Sequence, residues 1–205
     1  TSDTIENGTP APKETPTTRN KKRVIVEHHP TKNEYLLFGE ELSANEWKVT
    51  YDTTICTVGY NGIAALGEKR EGDGKTPAGT YNLGQFFGYD DDLNLKSISR
   101  FIELEPHHYW MSDSSSPLYN TLIEYDPSPL VAEKMERDDH LYKYGIIIDY
   151  NTEPAVPEKG SAIFLHIYRS PKKPTAGCVA VSEEDIVSLI YWLETAEQPE
   201  ITIRK

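Results

Sequence analysis

The apolar and polar positions of this chain form many short runs, and this pattern predicts a protein built mainly from β-strands. Runs rich in β-branched and aromatic residues are bounded by glycine, proline, asparagine and aspartate, which is typical of strands separated by turns. The predicted strands cover residues 23–28, 34–38, 46–60, 80–83, 101–105, 144–150, 162–165, 179–181 and 201–203. A weaker pattern over residues 130–141 predicts a short helix with exposed charges.

One helix is strongly indicated after the strand predicted at 179–181. Ser182 is a favourable N-cap, and Asp185 three residues later forms an approximate capping box. Apolar residues then recur with i, i+3, i+4, i+7 spacing, so one face of the helix can pack on a sheet. These residues are Ile186, Leu189, Ile190 and Leu193. The whole pattern predicts a mostly β fold, a sandwich or barrel with one or two helices, and not a repeat of βαβ units.

Length and charge narrow the classes of protein to which the chain can belong. Its 205 residues suffice for one domain with an ordinary core. Its formal net charge of −12 argues against nucleic acid as the main partner, because phosphate binding needs a clustered basic surface. No apolar run approaches the length of a membrane span.

Cysteine and histidine usage argues against a disulfide framework and against a metal centre. The two cysteines, Cys56 and Cys178, lie far apart in the sequence, and Cys56 falls inside a predicted strand, where we expect it to be a core residue. The six histidines show no metal-binding spacing such as H-E-x-x-H. We therefore expect no zinc site.

Residues 1–20 differ in composition from the rest of the chain. They are rich in threonine and proline, and Ile5 is their only large aliphatic residue. Such a segment cannot bury enough apolar surface to fold, which predicts a flexible tether followed by one domain over residues 21–205. A tether fits a secreted protein attached to a membrane or wall, although an ordinary flexible terminus explains the composition equally well.

The residues with the clearest chemical potential are His166 and Cys178. They lie twelve positions apart at the two ends of a loop, each next to a predicted strand. An imidazole beside a thiol favours the thiolate near neutral pH, and the thiolate is the nucleophile. Gly177 allows a tight turn there, with backbone amides near the thiol that can receive an oxyanion. In the alternative interpretation, Cys178 is an ordinary buried cysteine and His166 is an unrelated histidine, and both residues only pack in the core.

Residues 62–88 are dense in glycine, yet they do not match a phosphate-binding loop. Gly74 and the two residues after it supply the end of G-x-x-x-x-G-K-[ST], but Lys69 stands where the first glycine is required. A tight turn at residues 72–74 explains this composition without any ligand.

Residues 107–120 mix aromatic with small polar side chains. This composition suits a surface that binds a polar chain, with Trp110 and Tyr119 as candidate contacts. A structured loop that stacks on the core accounts for it equally well.

Three blocks of sequence occur in a fixed order along the chain. They are E-G-D-G-K-T-P-A-G-T-Y at 71–81, Y-W-M-S-D-S-S-S-P-L-Y-N at 109–120, and I-F-L-H at 163–166 followed by P-T-A-G-C-V-A at 174–180. Together they resemble the L,D-transpeptidase catalytic domain of the YkuD-like family over roughly residues 21–205. The resemblance implies a β-sandwich with its nucleophile at the end of a sheet. It also implies an extracytoplasmic enzyme that acts on peptidoglycan stem peptides.

The resemblance also implies roles for individual residues. Cys178 matches the family's nucleophile and His166 its general base, and the backbone amides of Gly177 and Cys178 would bind the oxyanion. Thr175 matches a Ser/Thr position of the motif. The chain departs from the better-known motif at Ala176, where histidine is usual, and it has no arginine shortly after the cysteine. These departures leave the acceptor open, and with it the choice between transfer and hydrolysis.

The expected reaction is acyl transfer with a cysteine thioester and release of D-alanine, without metal or organic cofactor. We expect the substrate to contact Thr175, Trp110, Tyr119 and Asn120. The partner would be peptidoglycan, with wall or membrane attachment only through the N-terminal tether. An L,D-carboxypeptidase and a non-catalytic wall-binding module are the alternatives. The group that orients His166 is open, and a backbone carbonyl would serve.

Overall fold

A computed structural model describes residues 20–89, 94–126, 129 and 131–205 of the chain. The tether predicted for residues 1–20 lies outside this part except for Asn20, so the boundary between tether and domain stays a prediction. Within the described part, no helix is both long and apolar enough to cross a membrane.

The described residues form fourteen β-strands and one α-helix, which confirms the mostly β fold predicted from the sequence. The strands are β1 (Lys22–His28), β2 (Tyr35–Ser43), β3 (Glu46–Cys56), β4 (Ile63–Ala64), β5 (Thr76–Pro77), β6 (Gly79–Gly88), β7 (Phe101–Glu103), β8 (His108–Met111), β9 (Leu122–Glu124), β10 (Ala132–Lys134), β11 (Tyr144–Ile148), β12 (Phe164–Ile167), β13 (Val179–Val181) and β14 (Glu200–Ile203). The helix α1 covers Glu183–Glu194.

Every strand predicted from the sequence is present, although most of the bounds shift. The short helix predicted over residues 130–141 is wrong, because the described part of that stretch contains β10 and turns. Strand β10 pairs antiparallel with β8, so that Glu133 lies opposite Trp110. This non-local pairing supplies the backbone hydrogen bonds of β10, and it outweighs the local helical pattern.

The main sheet curls until its two ends meet. Its strand order is β13-β12-β11-β6-β14-β1-β2-β3, with β7 paired to β6. Just beyond β3, Thr57 exchanges two backbone hydrogen bonds with Ala180 of β13, at 2.8 and 2.9 Å. The curled sheet is thereby joined along a seam, and Cys178 lies two residues before that seam.

Helix α1 fills the inside of the curled sheet. It contacts strands from both ends of the strand order, β3 at one end and β11 and β12 near the other. Its buried face is the one predicted, and the side chain of Ser182 accepts a hydrogen bond from the Asp185 amide, which confirms the N-cap. The last turn of α1 has no basic residue of its own, and Lys22 of β1 donates to the Trp192 carbonyl there at 2.6 Å.

Two apolar clusters lie on opposite sides of β12 and β13. The residues of these strands that belong to the cluster around α1 are Leu165, Ile167, Val179 and Val181. Phe164 and Cys178 belong to the second cluster, which lies beneath the three-stranded sheet of β8, β9 and β10. Because side chains alternate along a strand, His166 lies on the same face as Phe164, and therefore on the face of Cys178.

Gly39 of β2 lies directly against Trp192 of α1. A Cβ at this position would lie 2.6 Å from Trp192 Cη2 and 2.7 Å from Tyr51 Cβ. We predict that Gly39→Ala lowers the free energy of unfolding by about 1–3 kcal/mol, because the added methyl overpacks this contact. Urea denaturation measures this difference. The control Thr53→Ala, on the exposed side of β3, should cost less than about 1 kcal/mol, and equal losses would contradict the packing account.

Candidate active site

A cavity of about 510 Å³ opens beside the turn that precedes β13, and we call it the Cys–His cavity. Four of the predicted site residues line it together: His166, Thr175, Gly177 and Cys178. The parallel pairing of β12 with β13 brings them to one place, since Leu165 lies opposite Val179 and His166 opposite Ala180.

The thiol of Cys178 is held against the backbone at the start of β12. Its Sγ donates to the Ala162 carbonyl at 3.2 Å and accepts from the Phe164 amide at 3.4 Å. The residue is 7% exposed. The thiol therefore reaches the cavity from a fixed position and not from a mobile loop.

The turn before Cys178 is organised by the hydroxyl of Thr175. Its Oγ1 donates to the Cys178 carbonyl at 2.6 Å and accepts from the Gly177 amide at 3.1 Å. A Cβ on Gly177 would lie 3.1 Å from the Lys75 carbonyl oxygen, so the backbone passes too closely here for a larger residue to fit without movement. The Thr175 hydroxyl thus shapes the turn itself.

The imidazole of His166 has a defined orientation and tautomer. Its Nδ1 lies 2.7 Å from the Ile167 carbonyl oxygen, which can only accept, so Nδ1 carries the proton and Nε2 keeps its lone pair. The ring packs edge-on against Tyr142, with centroids 5.1 Å apart. Nε2 is therefore the atom of His166 that can take a proton.

Burial keeps both groups neutral. It raises the pKa of Cys178 to about 12, with a further contribution from the negative charge of Glu133. Burial lowers the pKa of His166 to about 4, and the hydrogen bond to Ile167 opposes this shift only in part. Among the described residues, no hydrogen bond joins the Cys178 thiol to the imidazole. The thiolate expected from the Cys–His pairing is therefore not the resting form, because desolvation outweighs the attraction between the charged forms.

The aromatic stretch lies apart from the cavity. Trp110 and Tyr119 are buried in the interior and do not line the cavity, and neither does Asn120. Asn120 Oδ1 accepts from the Trp110 indole and from the Ala162 amide, at 2.8 and 3.0 Å. Its Nδ2 donates to the carbonyls of Tyr150 and Asn151, at 3.0 and 2.8 Å.

These bonds use the hydrogen-bonding capacity of the Asn120 amide, so the amide supports the segment before β12 that carries Ala162. Tyr119 has a similar supporting position, because its hydroxyl donates to Glu71. The structure thus places Trp110, Tyr119 and Asn120 outside the cavity lining, and substrate contact by these residues stays a prediction.

Several charged residues of the cavity wall were not identified from the sequence. Lys69 and Glu71 come from the loop that the sequence predicts to be a tight turn without a ligand. Asp73 does cap that turn, accepting from the Arg70 and Lys75 amides at 2.8 Å each. The same loop nevertheless forms a wall of the cavity, which no local pattern in its sequence indicates.

Glu133, Arg137 and Tyr142 form a second wall, on β10 and the turns after it. The sequence placed Glu133 and Arg137 on an exposed helix face, and it contains no signal that brings them to Cys178. The strand pairing of β10 is what turns this segment towards the cavity.

A group of side chains with metal-ligand chemistry forms outside the cavity. Ligand atoms of His107, His108 and Glu124 lie within 4.8 Å of one another, because β9 pairs with β8. His108 Nδ1 accepts from the Glu105 amide at 2.9 Å, so its Nε2 carries a proton and points this N–H at Glu124, 3.6 Å away. Hydrogen bonding and charge account for the group as it stands.

A cysteine and a histidine on one face of two parallel strands, at the seam of a curled β-sheet, define a β-rich domain with a candidate cysteine-based active site. The model of the YkuD family, the L,D-transpeptidase catalytic domain, matches residues 22–201. The chain therefore belongs to this family, which confirms the resemblance seen in the sequence and implies a peptidoglycan substrate. Comparison with curated proteins and with solved structures found no match.

The neutral resting state predicts how Cys178 reacts with pH. We expect its alkylation by iodoacetamide to accelerate roughly tenfold per unit between about pH 6 and pH 9, because the thiolate fraction grows in that proportion below the pKa. Mass spectrometry of the modified protein measures the rate. Cys178→Ser corrects for the buried Cys56. A rate that levels off near neutral pH would show a stabilised thiolate instead.

The turn before Cys178 should depend on the Thr175 hydroxyl. We predict that Thr175→Val lowers the free energy of unfolding by about 1–3 kcal/mol, because the Gly177 amide loses its partner and the Cys178 carbonyl keeps only the longer bond, 3.4 Å, from Thr76 Oγ1. Thr175→Ser keeps the hydroxyl and should retain most of the stability. Thermal or urea denaturation of both variants decides this, and equal stability of the two would rule out the proposed role of the hydroxyl.

Proposed function

We propose that this protein is an L,D-transpeptidase, a cysteine acyltransferase that acts on peptidoglycan stem peptides. The observation that carries the proposal is the pairing of Cys178 with His166 on one face of the sheet, in a chain that belongs to the YkuD family. The hydrogen bond from His166 Nδ1 to the Ile167 carbonyl supports it, because this bond leaves Nε2 free to act as a base.

In the first step, His166 Nε2 takes the proton of the Cys178 thiol as the sulfur attacks the carbonyl of the third stem residue. In this scheme the Cys178 thiolate and the His166 imidazolium form only as the carbonyl reacts. This is consistent with two groups that burial keeps neutral in the resting protein. The amide bond to D-alanine then breaks, and protonated His166 gives its proton to the leaving amine. A Cys178 thioester and free D-alanine are the products of this step.

The oxyanion of this step needs an N–H donor that is not already used. The Gly177 amide donates to Thr175 Oγ1. The Cys178 amide has no acceptor among the described residues, and it adjoins the nucleophile. We therefore assign the oxyanion to the Cys178 amide, with the Gly177 amide holding the turn in shape.

The Ile167 carbonyl is the group that orients the base. A carbonyl fixes the tautomer as well as a carboxylate would, but it adds less stabilisation to the imidazolium because it carries no full charge. Tyr142 restricts the ring from the other side. The base is thus positioned by one backbone bond and one aromatic contact.

In the second step, an amine of a neighbouring stem attacks the thioester and forms the cross-link. Attack by water would make the protein an L,D-carboxypeptidase, and failure of the first step would leave a wall-binding module. We also propose an extracytoplasmic location, where the substrate lies, and attachment through residues 1–20.

The proposal predicts a covalent intermediate on Cys178. Mixing the protein with disaccharide-tetrapeptide should release D-alanine and yield a protein mass increased by the acyl group, and Cys178→Ala should show neither. Intact-protein mass spectrometry and analysis of the small products in the same sample provide both measurements. Cross-linked dimers identify a transpeptidase, and tripeptide alone a carboxypeptidase. The absence of both adduct and D-alanine would overturn the proposed activity.

A further inference from the structure

Glu133 presents an unused carboxylate oxygen to the Cys–His cavity. Its Oε1 accepts from the Tyr142 hydroxyl at 2.5 Å and from Arg137 Nη1 at 3.2 Å. Its Oε2 has no partner among the described residues. The side chain is 31% exposed and lines the cavity, so a ligand in the cavity can reach it. A carboxylate in a partly desolvated site, with one oxygen free, is a binding group for a cation.

The carboxylate of Glu133 is held in a fixed position. The guanidinium that contacts it is itself clamped, since Arg137 Nε and Nη2 donate to the two oxygens of Asp139 at 2.8 and 2.7 Å. The tyrosine that contacts it packs against the imidazole of His166. Glu133 and the base are therefore positioned by the same aromatic ring, on one side of the cavity.

Glu133 and Cys178 line the same cavity. After burial, its negative charge makes the largest contribution to the raised pKa of Cys178. Glu71 is the other acid in the wall, and its Oε2 accepts from the Ser161 hydroxyl at 2.8 Å and from Tyr119. Glu71 is thus a carboxylate in the same cavity but on the other wall, and it serves as a matched control for Glu133.

Most cations of the cavity wall are already neutralised by acids. Lys69 Nζ lies 2.6 Å from Asp73, and Arg169 lies 2.6 Å from Asp139, which also binds Arg137. Lys173 has no partner among the described residues, but it belongs to the exposed part of the loop between β12 and β13. An ammonium group that enters beside Cys178 can therefore bind the free oxygen of Glu133, because no unpaired cation on that wall repels it.

We propose that Glu133 binds the ammonium group of the acceptor stem peptide and takes the proton that makes this amine a nucleophile. This inference rests on the proposed function, and what it adds is the residue that binds and deprotonates the acceptor amine. Burial raises the pKa of Glu133, which makes its carboxylate a better proton acceptor than an exposed one.

The proton balance of the transfer step follows. The ammonium gives one proton to Glu133, and the neutral amine attacks the thioester carbonyl, so that a C–N bond forms and the C–S bond breaks. A second proton passes from the nitrogen through His166 Nε2 to the sulfur of Cys178. The products are the amide cross-link, the Cys178 thiol and protonated Glu133, which returns its proton to the solvent.

Binding without turnover tests the ammonium site directly. In a Cys178→Ala background, calorimetry compares a stem tripeptide that ends in L-lysine with its Nε-acetylated form. We expect acetylation to weaken binding roughly tenfold, because it removes a charge-assisted hydrogen bond. Adding Glu133→Gln should abolish this preference, whereas adding Glu71→Gln should keep it. Equal binding of the two peptides, or a preference that survives Glu133→Gln, would overturn the inference.

Turnover provides the second readout. With the tetrapeptide donor, we expect Glu133→Gln to lower the yield of cross-link to lysine tripeptide roughly tenfold relative to the yield of hydroxamate with hydroxylamine, an acceptor that is uncharged at neutral pH. Glutamine keeps an oxygen for Tyr142 and Arg137, and a thermal melt confirms the fold. Equal losses with both acceptors would contradict a role in amine activation. If the wild-type protein forms no thioester, the proposed function is wrong. The calorimetry would still show whether Glu133 binds an ammonium group.

Discussion

The alternation of β12 and β13 between two apolar clusters is the constraint on which the site depends. Leu165 and Val179 are fully buried against the interior that contains α1, while Phe164 is fully buried in the other cluster. Burial of each large side chain contributes about 1.5–3 kcal/mol. A slip of one residue would exchange the two faces and lose this burial, so the register is strongly specified. Cys178 and His166 share a face because these neighbours fix that register.

The same burial that positions the two groups also suppresses their charge. A buried thiol and a buried imidazole are both more stable in neutral form, so the resting protein does not contain an ion pair ready to react. In the proposed reaction, proton transfer becomes favourable only when a carbonyl takes up the negative charge of the sulfur. Under this proposal the arrangement would protect the cysteine from unwanted reactions and couple its activation to the presence of substrate.

The walls of the cavity come from segments that are distant in the sequence, and buried polar side chains join them. Asn120 connects the Trp110 indole to the backbone beside Cys178, and Glu71 connects Tyr119 to Ser161. The aromatic block of the sequence therefore serves the architecture of the site. Its composition resembles that of a binding surface because both uses require large side chains with polar groups at their ends.

The sequence by itself determined nine of the fourteen strands, the helix after Ser182 and the family, and it predicted that Cys178 and His166 lie close together. These features depend on residues that are close together in the sequence. Alternation, helical spacing, an N-cap and a short motif can all be recognised without knowing the fold. Only the tertiary structure decided that β10 is a strand, that Asn120 is a support and that Glu133 lines the cavity of Cys178. Each of these features depends on a partner that is distant in the sequence. The charge of Cys178 and His166 depends on burial in the folded protein, and no local pattern in the sequence indicates that burial.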